Sequence, residues 1–120
     1  MAYPAASNED WRLAVRRQAK PHRPKYPLEG PLYVEHHYYL KRPKKHFRSN
    51  GELRADAPPF PITKNTGDLD NYSKDTMDVL TELEFWGDDS QIVDARILKK
   101  WADTKETGAV LYIRQLNHAD

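Results

Sequence analysis

The chain has 120 residues, of which 38% are hydrophobic and 31% are charged, and it contains no cysteine. This length predicts one domain over residues 1–120 with a single modest core. The composition excludes a disulfide framework and a thiolate zinc site, and no apolar run approaches the length of a membrane span. The first residues, MAYPAASNED, lack the apolar core of a secretory signal, so we expect a soluble protein of the cytoplasm.

Charge is distributed unevenly along the chain. Residues 1–66 carry 13 Lys and Arg against 6 Asp and Glu, a net charge of +7. Residues 67–120 carry 6 Lys and Arg against 12 Asp and Glu, a net charge of −6. The asymmetry indicates a basic part that faces nucleic acid beside an acidic part, although solvated surface charge explains it equally well.

The first two elements are a helix and a strand. Residues 7–20 predict a helix, because Glu9 and Asp10 suit its N-terminal end and Pro21 ends it. Residues 32–40, LYVEHHYYL, are rich in aromatic and branched side chains and predict a strand. One face of this strand would carry Leu32, Val34, His36, Tyr38 and Leu40. The adjacent His36 and His37 then face opposite ways, so we interpret them as strand residues and not as metal ligands.

Residues 42–67 predict a long loop, because they are rich in proline and basic residues and show no helical period. Long loops in compact domains are usually functional or disordered. Downstream, residues 70–84 predict a second helix that buries Met77, Leu80 and Leu83. Residues 91–102 and 108–116 predict two strands joined as an antiparallel hairpin. The fold class is therefore α+β, with a small mixed sheet and two main helices.

Two acidic pairs flank the second helix. Asp68 and Asp70 precede or begin it, and Asp88 and Asp89 follow it in a turn. A helix–turn–strand unit that brought the two pairs together would gather three or four carboxylates, with Lys74 one helical turn after Asp70. Oxygen ligands of this kind suit a hard cation such as Mg²⁺. Ordinary turn and capping residues are the alternative explanation for both pairs, and an i,i+4 ion pair is the alternative for Lys74.

The run GDLDNYSKDTMDVLTELEFWGDDSQIVDARILKK resembles the signature of RusA-type Holliday junction resolvases. In that family D-x-D-N-x-x-K opens a helix with an internal Asp, and D-D-x-Q then leads into a strand. The matching positions are Asp68, Asp70, Asn71, Lys74, Asp78, Asp88, Asp89 and Gln91. The loop, with RPKKHF and APPFP, is similar to that of long-loop members from bacteriophages and prophages. The resemblance covers roughly residues 30–115 and makes residues 68–101 the acidic catalytic segment.

The resemblance implies a homodimeric, Mg²⁺-dependent endodeoxyribonuclease that resolves four-way DNA junctions by paired nicks, in a bacterial cell or a phage-infected host. Mn²⁺ is a possible substitute for Mg²⁺, and neither an organic cofactor nor a membrane partner is expected. By position, Asp68, Asp70 and Asp89 become metal ligands, and Asp88 is a weaker candidate. Lys74 becomes the essential cation and, with Asp70, the catalytic group. The residues expected to contact DNA are Arg42, Lys44, Lys45, Phe47, Arg48, Lys64 and Asn71, with His46 as an alternative to Phe47 for stacking at an opened junction.

One departure from the family pattern concerns the N-terminus. Many relatives carry a strand and a loop before the first helix, whereas this sequence starts almost at that helix, so we expect a sheet without one edge strand. Two alternatives to the nuclease stay open at this point. One is a non-catalytic junction-binding protein with an incomplete N-terminus. The other is a small metal-binding or interaction domain unrelated to DNA.

Overall fold

Two helices and three strands make up the part of the chain that the computed structural model describes, residues 8–62, 67–102 and 107–117. They follow one another as helix α1 (Asn8–Ala19), strand β1 (Leu32–Leu40), helix α2 (Leu69–Glu82), strand β2 (Ile92–Trp101) and strand β3 (Gly108–Gln115). This is a small mixed α+β fold, as predicted. Within the described residues, no helix combines the length and the apolarity that a membrane crossing requires.

Strand β1 lies at the centre of the sheet. Its residues alternate between buried and half-buried along its whole length, which confirms the predicted two-residue period. It pairs in parallel with β2 and antiparallel with β3, so the strand order is β2-β1-β3. The buried face of β1 therefore supports the core, and both of its edges are hydrogen-bonded.

The hairpin predicted from residues 91–102 and 108–116 is wrong. Strands β2 and β3 lie on opposite sides of β1, where His36 pairs with Ile97 on one side and with Leu111 on the other. Short sequence separation favoured direct pairing, but β1 has the stronger alternating pattern and takes both later strands as neighbours. The parallel β1–β2 pair needs a crossover connection, and α2 supplies it.

Both helices pack on the buried face of the sheet through an aromatic cluster. The rings of Trp11 in α1 and Tyr72 in α2 meet edge to face at 5.3 Å, and Tyr38 of β1 stacks on Tyr72 at 5.1 Å. The Trp11 indole and the Tyr38 hydroxyl both donate to Oγ1 of Thr76, which in turn donates to the backbone carbonyl of Tyr72. Buried polar groups need such partners, so this network fixes how the helices sit on the sheet.

His36 extends the same network into the strand. Its Nδ1 lies 2.9 Å from the Tyr38 hydroxyl oxygen. Because Tyr38 gives its single proton to Thr76, the imidazole must donate here. Burial, with a smaller contribution from nearby His37, lowers the pKa of His36 to about 4. The side chain is thus a neutral core group at neutral pH, as expected for a strand histidine.

A group of charged side chains joins α1 and α2. The Arg12 guanidinium lies 2.7 Å from a Glu82 carboxylate oxygen, 3.4 Å from Asp78 and 3.8 Å from Asp75, and Arg16 also pairs with Glu82. Asp78 matched the internal helix aspartate of the family signature. In this fold it faces α1, so its observed role is to bind the two helices together.

Candidate active site

The first acidic pair lies at the N-terminal end of α2. Asp68 immediately precedes the helix with extended backbone (φ −91°, ψ 138°), and its side chain makes no capping hydrogen bond. Its carbonyl instead accepts from the amides of Asn71 and Tyr72 at 3.1 and 3.2 Å. Asp70 lies in the first turn, and both carboxylates are exposed. The positive end of the helix dipole favours negative charge here, so it stabilises the two carboxylates.

The backbone that enters this site is fixed at Gly67. Its φ of +84° is in the left-handed region, and a Cβ built there would lie 2.8 Å from the hydroxyl of Tyr72. Its carbonyl accepts a hydrogen bond from Nζ of Lys99 on β2, at 2.9 Å. The segment leading to Asp68 is therefore held from both sides, by the ring of Tyr72 and by the lysine of β2.

The second acidic pair lies at the other end of α2, in a short 3₁₀ helix, Asp89–Gln91. Asp88 caps this helix by accepting from the Ser90 amide at 2.8 Å, and its bonds from Ser90 hold the pKa of the carboxyl below its ordinary value. Its ranking as the weaker ligand candidate stays a prediction. Asp89 is exposed, so its carboxylate is accessible.

The hydrogen bonds of Gln91 explain why the D-D-x-Q motif ends in glutamine. Its Oε1 accepts from the amides of Gly87 and Asp88 at 2.9 and 3.1 Å. Its Nε2 donates to the carbonyls of Leu28 and Gly30, both at 3.0 Å. One side-chain amide therefore ties the Asp88–Asp89 turn to the chain before β1, which fixes where Asp89 is presented.

The predicted convergence of the two acidic pairs within one chain is wrong. Helix α2 has 14 residues, so its ends are roughly 20 Å apart. Strand β2 returns alongside it, and Lys99 reaches Gly67 from near the end of β2 that is remote from Asp89. Accordingly, the described residues contain no group of three His, Cys, Asp or Glu side chains that could hold a metal ion. The prediction failed because one acidic pair lies at each end of α2, and the length of the helix separates them.

Lys74 is exposed on α2, one turn after Asp70. In the described part of the chain it forms no ion pair with Asp70 or Asp78, and Asp78 pairs with Arg12 instead. The simple alternative, an i,i+4 helix pair, is therefore not what the structure shows. The ammonium is accessible beside the first acidic pair.

The basic loop is anchored at the same end of the sheet as Asp68. The Arg42 guanidinium donates to the carbonyl of Pro58 at 2.9 Å and lies 5.1 Å from the Trp101 ring. His46 is buried with its ring edge-on to Trp101 at 5.2 Å. The Trp101 indole donates to the same Pro58 carbonyl at 3.0 Å. Part of the predicted loop thus forms a base that packs against the last residue of β2.

Two of the side chains proposed to contact DNA belong to this base. Arg42 donates to Nδ1 of His46 at 3.3 Å, so the imidazole must be unprotonated at that nitrogen. Burial, then the charges of Arg42 and Lys45, lower the pKa of His46. His46 is therefore a packing residue, and its stacking role at a junction is wrong. The Arg42 guanidinium contacts Pro58, His46 and Trp101 and thereby anchors the loop.

The tip of the loop, residues 44–54, is a short 3₁₀ helix, Lys44–His46, that leads into a small hairpin, and we call this segment the basic hairpin. Phe47 and Leu53 form a bridge between its two sides, and the Arg48 amide donates to the Glu52 carbonyl at 2.7 Å. Lys44, Lys45 and Arg48 are exposed, as is Phe47 at 38%. Phe47 is thus outside the core, with its ring accessible. Lys64 lies outside the described residues, and Asn71 is exposed beside Asp70.

The structure therefore attaches the backbone before Asp68 and the base of the basic loop to the same end of β2, with Lys74 one helical turn after Asp70, and leaves Asp89 at the other end of that strand. Sequence reasoning missed the supports of this end, Gly67 and Lys99. A glycine directly before an acidic pair is a signal for a left-handed backbone, so Gly67 could have been found. Lys99 had no signal, because its contact joins residues 32 positions apart.

Comparison with known proteins gives a family for this arrangement. The sequence model described as Endodeoxyribonuclease RusA matches residues 1–113. The chain belongs to the RusA endodeoxyribonuclease family. Membership implies a nuclease that resolves Holliday junctions, and nucleases of this family generally depend on a divalent metal.

Two curated proteins are similar to this chain, and one of them carries the name of the family. The uncharacterized protein YqaN of Bacillus subtilis (strain 168) is 29% identical over 100 residues, which cover 82% of this chain and 68% of that protein. The crossover junction endodeoxyribonuclease rusA of Enterobacteria phage 82 is 53% identical over 32 residues, or 27% of each chain. The similarity to the phage enzyme thus covers a short segment, whereas the family match spans nearly the whole sequence.

Proposed function

We propose that this RusA-family protein is a Mg²⁺-dependent endonuclease that cuts four-way DNA junctions by paired nicks. The observation that carries the proposal is that the last residues of β2 hold both parts of the surface: Lys99 binds the backbone before the exposed Asp68, and Trp101 binds the base of the basic loop. A phosphodiester held by the basic side chains there would meet a pair of carboxylates able to bind a cation. Substrate binding and metal binding would thus share one surface.

The proposed ligands suit Mg²⁺, which prefers oxygen donors, because Asp68, Asp70 and Asp89 have exposed carboxylates. One chain does not bring the three together, so we propose that a homodimer does. Strand β2 is at an edge of the described sheet, and its residues 93–96 are all exposed. Two copies with their β2 edges antiparallel across a two-fold axis would place Asp89 of one copy near Asp68 of the other.

In this dimer each site would take Asp68 and Asp70 from one copy and Asp89 from the second. Bound Mg²⁺, for which Mn²⁺ could substitute, supplies charge stabilisation at the scissile phosphate and a bound water of lowered pKa. Lys74 would contact the phosphate oxygens that gain charge, or orient the attacking water. Two equivalent sites related by a two-fold axis match the paired nicks that resolve a four-way junction.

The test of this function is a gel assay on a synthetic four-way junction, with a linear duplex of the same composition as control. We expect nicks in the junction with Mg²⁺ or Mn²⁺, and binding without cleavage in Ca²⁺ or EDTA. A shifted band without products under every metal would instead identify a junction-binding protein. Absence of both binding and cleavage would identify a domain unrelated to DNA, and either result contradicts the proposal.

The basic hairpin is proposed to hold DNA phosphates through Lys44, Lys45 and Arg48, with Phe47 stacking on a base at the opened junction. Lys64 and Asn71 are further proposed contacts. In Ca²⁺, Lys45→Gln and Arg48→Gln should each flatten the plot of log binding constant against log salt by about 0.9, the value for one phosphate contact. Arg17→Gln, an exposed cation on α1, is the matched control and should leave the slope unchanged. Slopes equal to that of the control would exclude the hairpin from binding.

A further inference from the structure

Lys99 is the cation that reaches from the sheet to the entrance of the proposed site. Its side chain lies on the helix-facing side of β2, since its register partner is Tyr38 of the buried face of β1. It is half-buried, and its Nζ donates to the Gly67 carbonyl at 2.9 Å. A hydrogen bond from a charged donor is stronger and shorter than a neutral one, so this contact is a firm tie between β2 and the chain before α2.

The position of Asp68 depends on this tie. Gly67 and Asp68 share a peptide bond, so the carbonyl held by Lys99 is in the same rigid unit as the Asp68 amide. The Asp68 carbonyl then accepts from the amides of Asn71 and Tyr72, which begins the helix that carries Asp70. One lysine therefore fixes the backbone from which both carboxylates of the first acidic pair project.

We propose that Lys99 is a positioning residue for the proposed nuclease site. It acts through the Gly67 carbonyl and holds Asp68 and Asp70 at the spacing that a divalent cation requires. The inference deepens the proposed function, on which it rests for its effect on cleavage. Its structural part, the tie between β2 and the start of α2, concerns the protein without metal and is measurable without any cleavage.

The variant that tests it is Lys99→Met, which keeps the apolar stem and removes the donor. Lys100→Met is the matched control, because Lys100 is the next residue on β2, exposed and facing the opposite side of the sheet. Lys99→Arg keeps a charged donor of similar reach, so it should retain the nicking rate and the Mg²⁺ dependence of the unaltered protein. Removal of a group that orients a metal ligand typically costs about tenfold to a hundredfold in metal affinity or activity. We expect a loss of that size in junction nicking and a higher Mg²⁺ concentration for half-maximal rate.

Amide hydrogen exchange of the metal-free protein is the second measurement. We expect faster exchange at the Asn71 and Tyr72 amides in Lys99→Met, and unchanged exchange at the amides of β1. The result that overturns the proposal is exchange and Mg²⁺ dependence equal to those of Lys100→Met, or exchange that quickens equally throughout the sheet. If the unaltered protein does not nick the junction in the same gel, the proposed function fails, while the exchange result still decides the role of Lys99 in holding the backbone.

Discussion

Asp70→Asn and Asp89→Asn should each abolish junction nicking, and a mixture of the two variants should recover part of it. Each substitution removes one carboxylate ligand, and loss of charge stabilisation of this kind costs about a hundredfold or more in rate. In a shared site, a mixed dimer has one intact site, built from Asp70 of one copy and Asp89 of the other. Its second site carries both defects. Junction binding in Ca²⁺ should persist, because Asn removes a negative charge from the surface that faces phosphate.

The mixture is prepared by unfolding and refolding the two variants together, and the readout is the rate of the first nick. Random pairing makes about half of the dimers mixed, so about a quarter of the sites of the unaltered protein are restored. Asp68→Asn mixed with Asp70→Asn is the matched control, because both positions belong to the same half-site and every site then keeps a defect. Recovery no greater than that of this control would show that the copies do not share their carboxylates.

Gly67→Ala should be the most damaging small substitution at the site. A left-handed backbone costs an L-residue about 1–2 kcal/mol, and the new methyl would also meet the buried ring of Tyr72, which adds about 1–3 kcal/mol of overpacking. We expect the free energy of unfolding, measured by urea denaturation, to fall by the sum of these effects. Nicking should fall further, because any shift of Gly67 moves Asp68.

Gly51→Ala provides the control for backbone strain alone. Gly51 has a similar φ of +89°, but a Cβ there would meet no atom within 4 Å. It should therefore lose about 1–2 kcal/mol of stability and no more, so the two variants are compared by their free energies of unfolding. Equal losses of unfolding free energy in the two variants would mean that the contact with Tyr72 is relaxed at little cost and does not fix the site.

The sequence by itself determined the local structure. The alternating pattern of LYVEHHYYL predicted both ends of β1, Leu32 and Leu40, correctly. A strand with one buried face carries an apolar side chain at every second position. The apolar period and the acidic N-terminal turn gave α1, which extends over Asn8–Ala19 within the predicted residues 7–20. The spaced acidic motif indicated the RusA family, since its residue types and intervals are local properties of the chain.

The tertiary structure alone decided which distant residues meet. Sequence placed β2 and β3 in a hairpin, but competition for the edges of β1 separated them. It also placed two acidic pairs at one centre, whereas the length of α2 holds them apart, which is why the proposed site takes Asp89 from a second copy. His46 was considered as a stacking group at a junction, yet it is buried against Trp101 in the base of the loop, where Arg42 also lies. Contacts of this kind depend on the summed packing of the whole chain, and no local pattern carries that information.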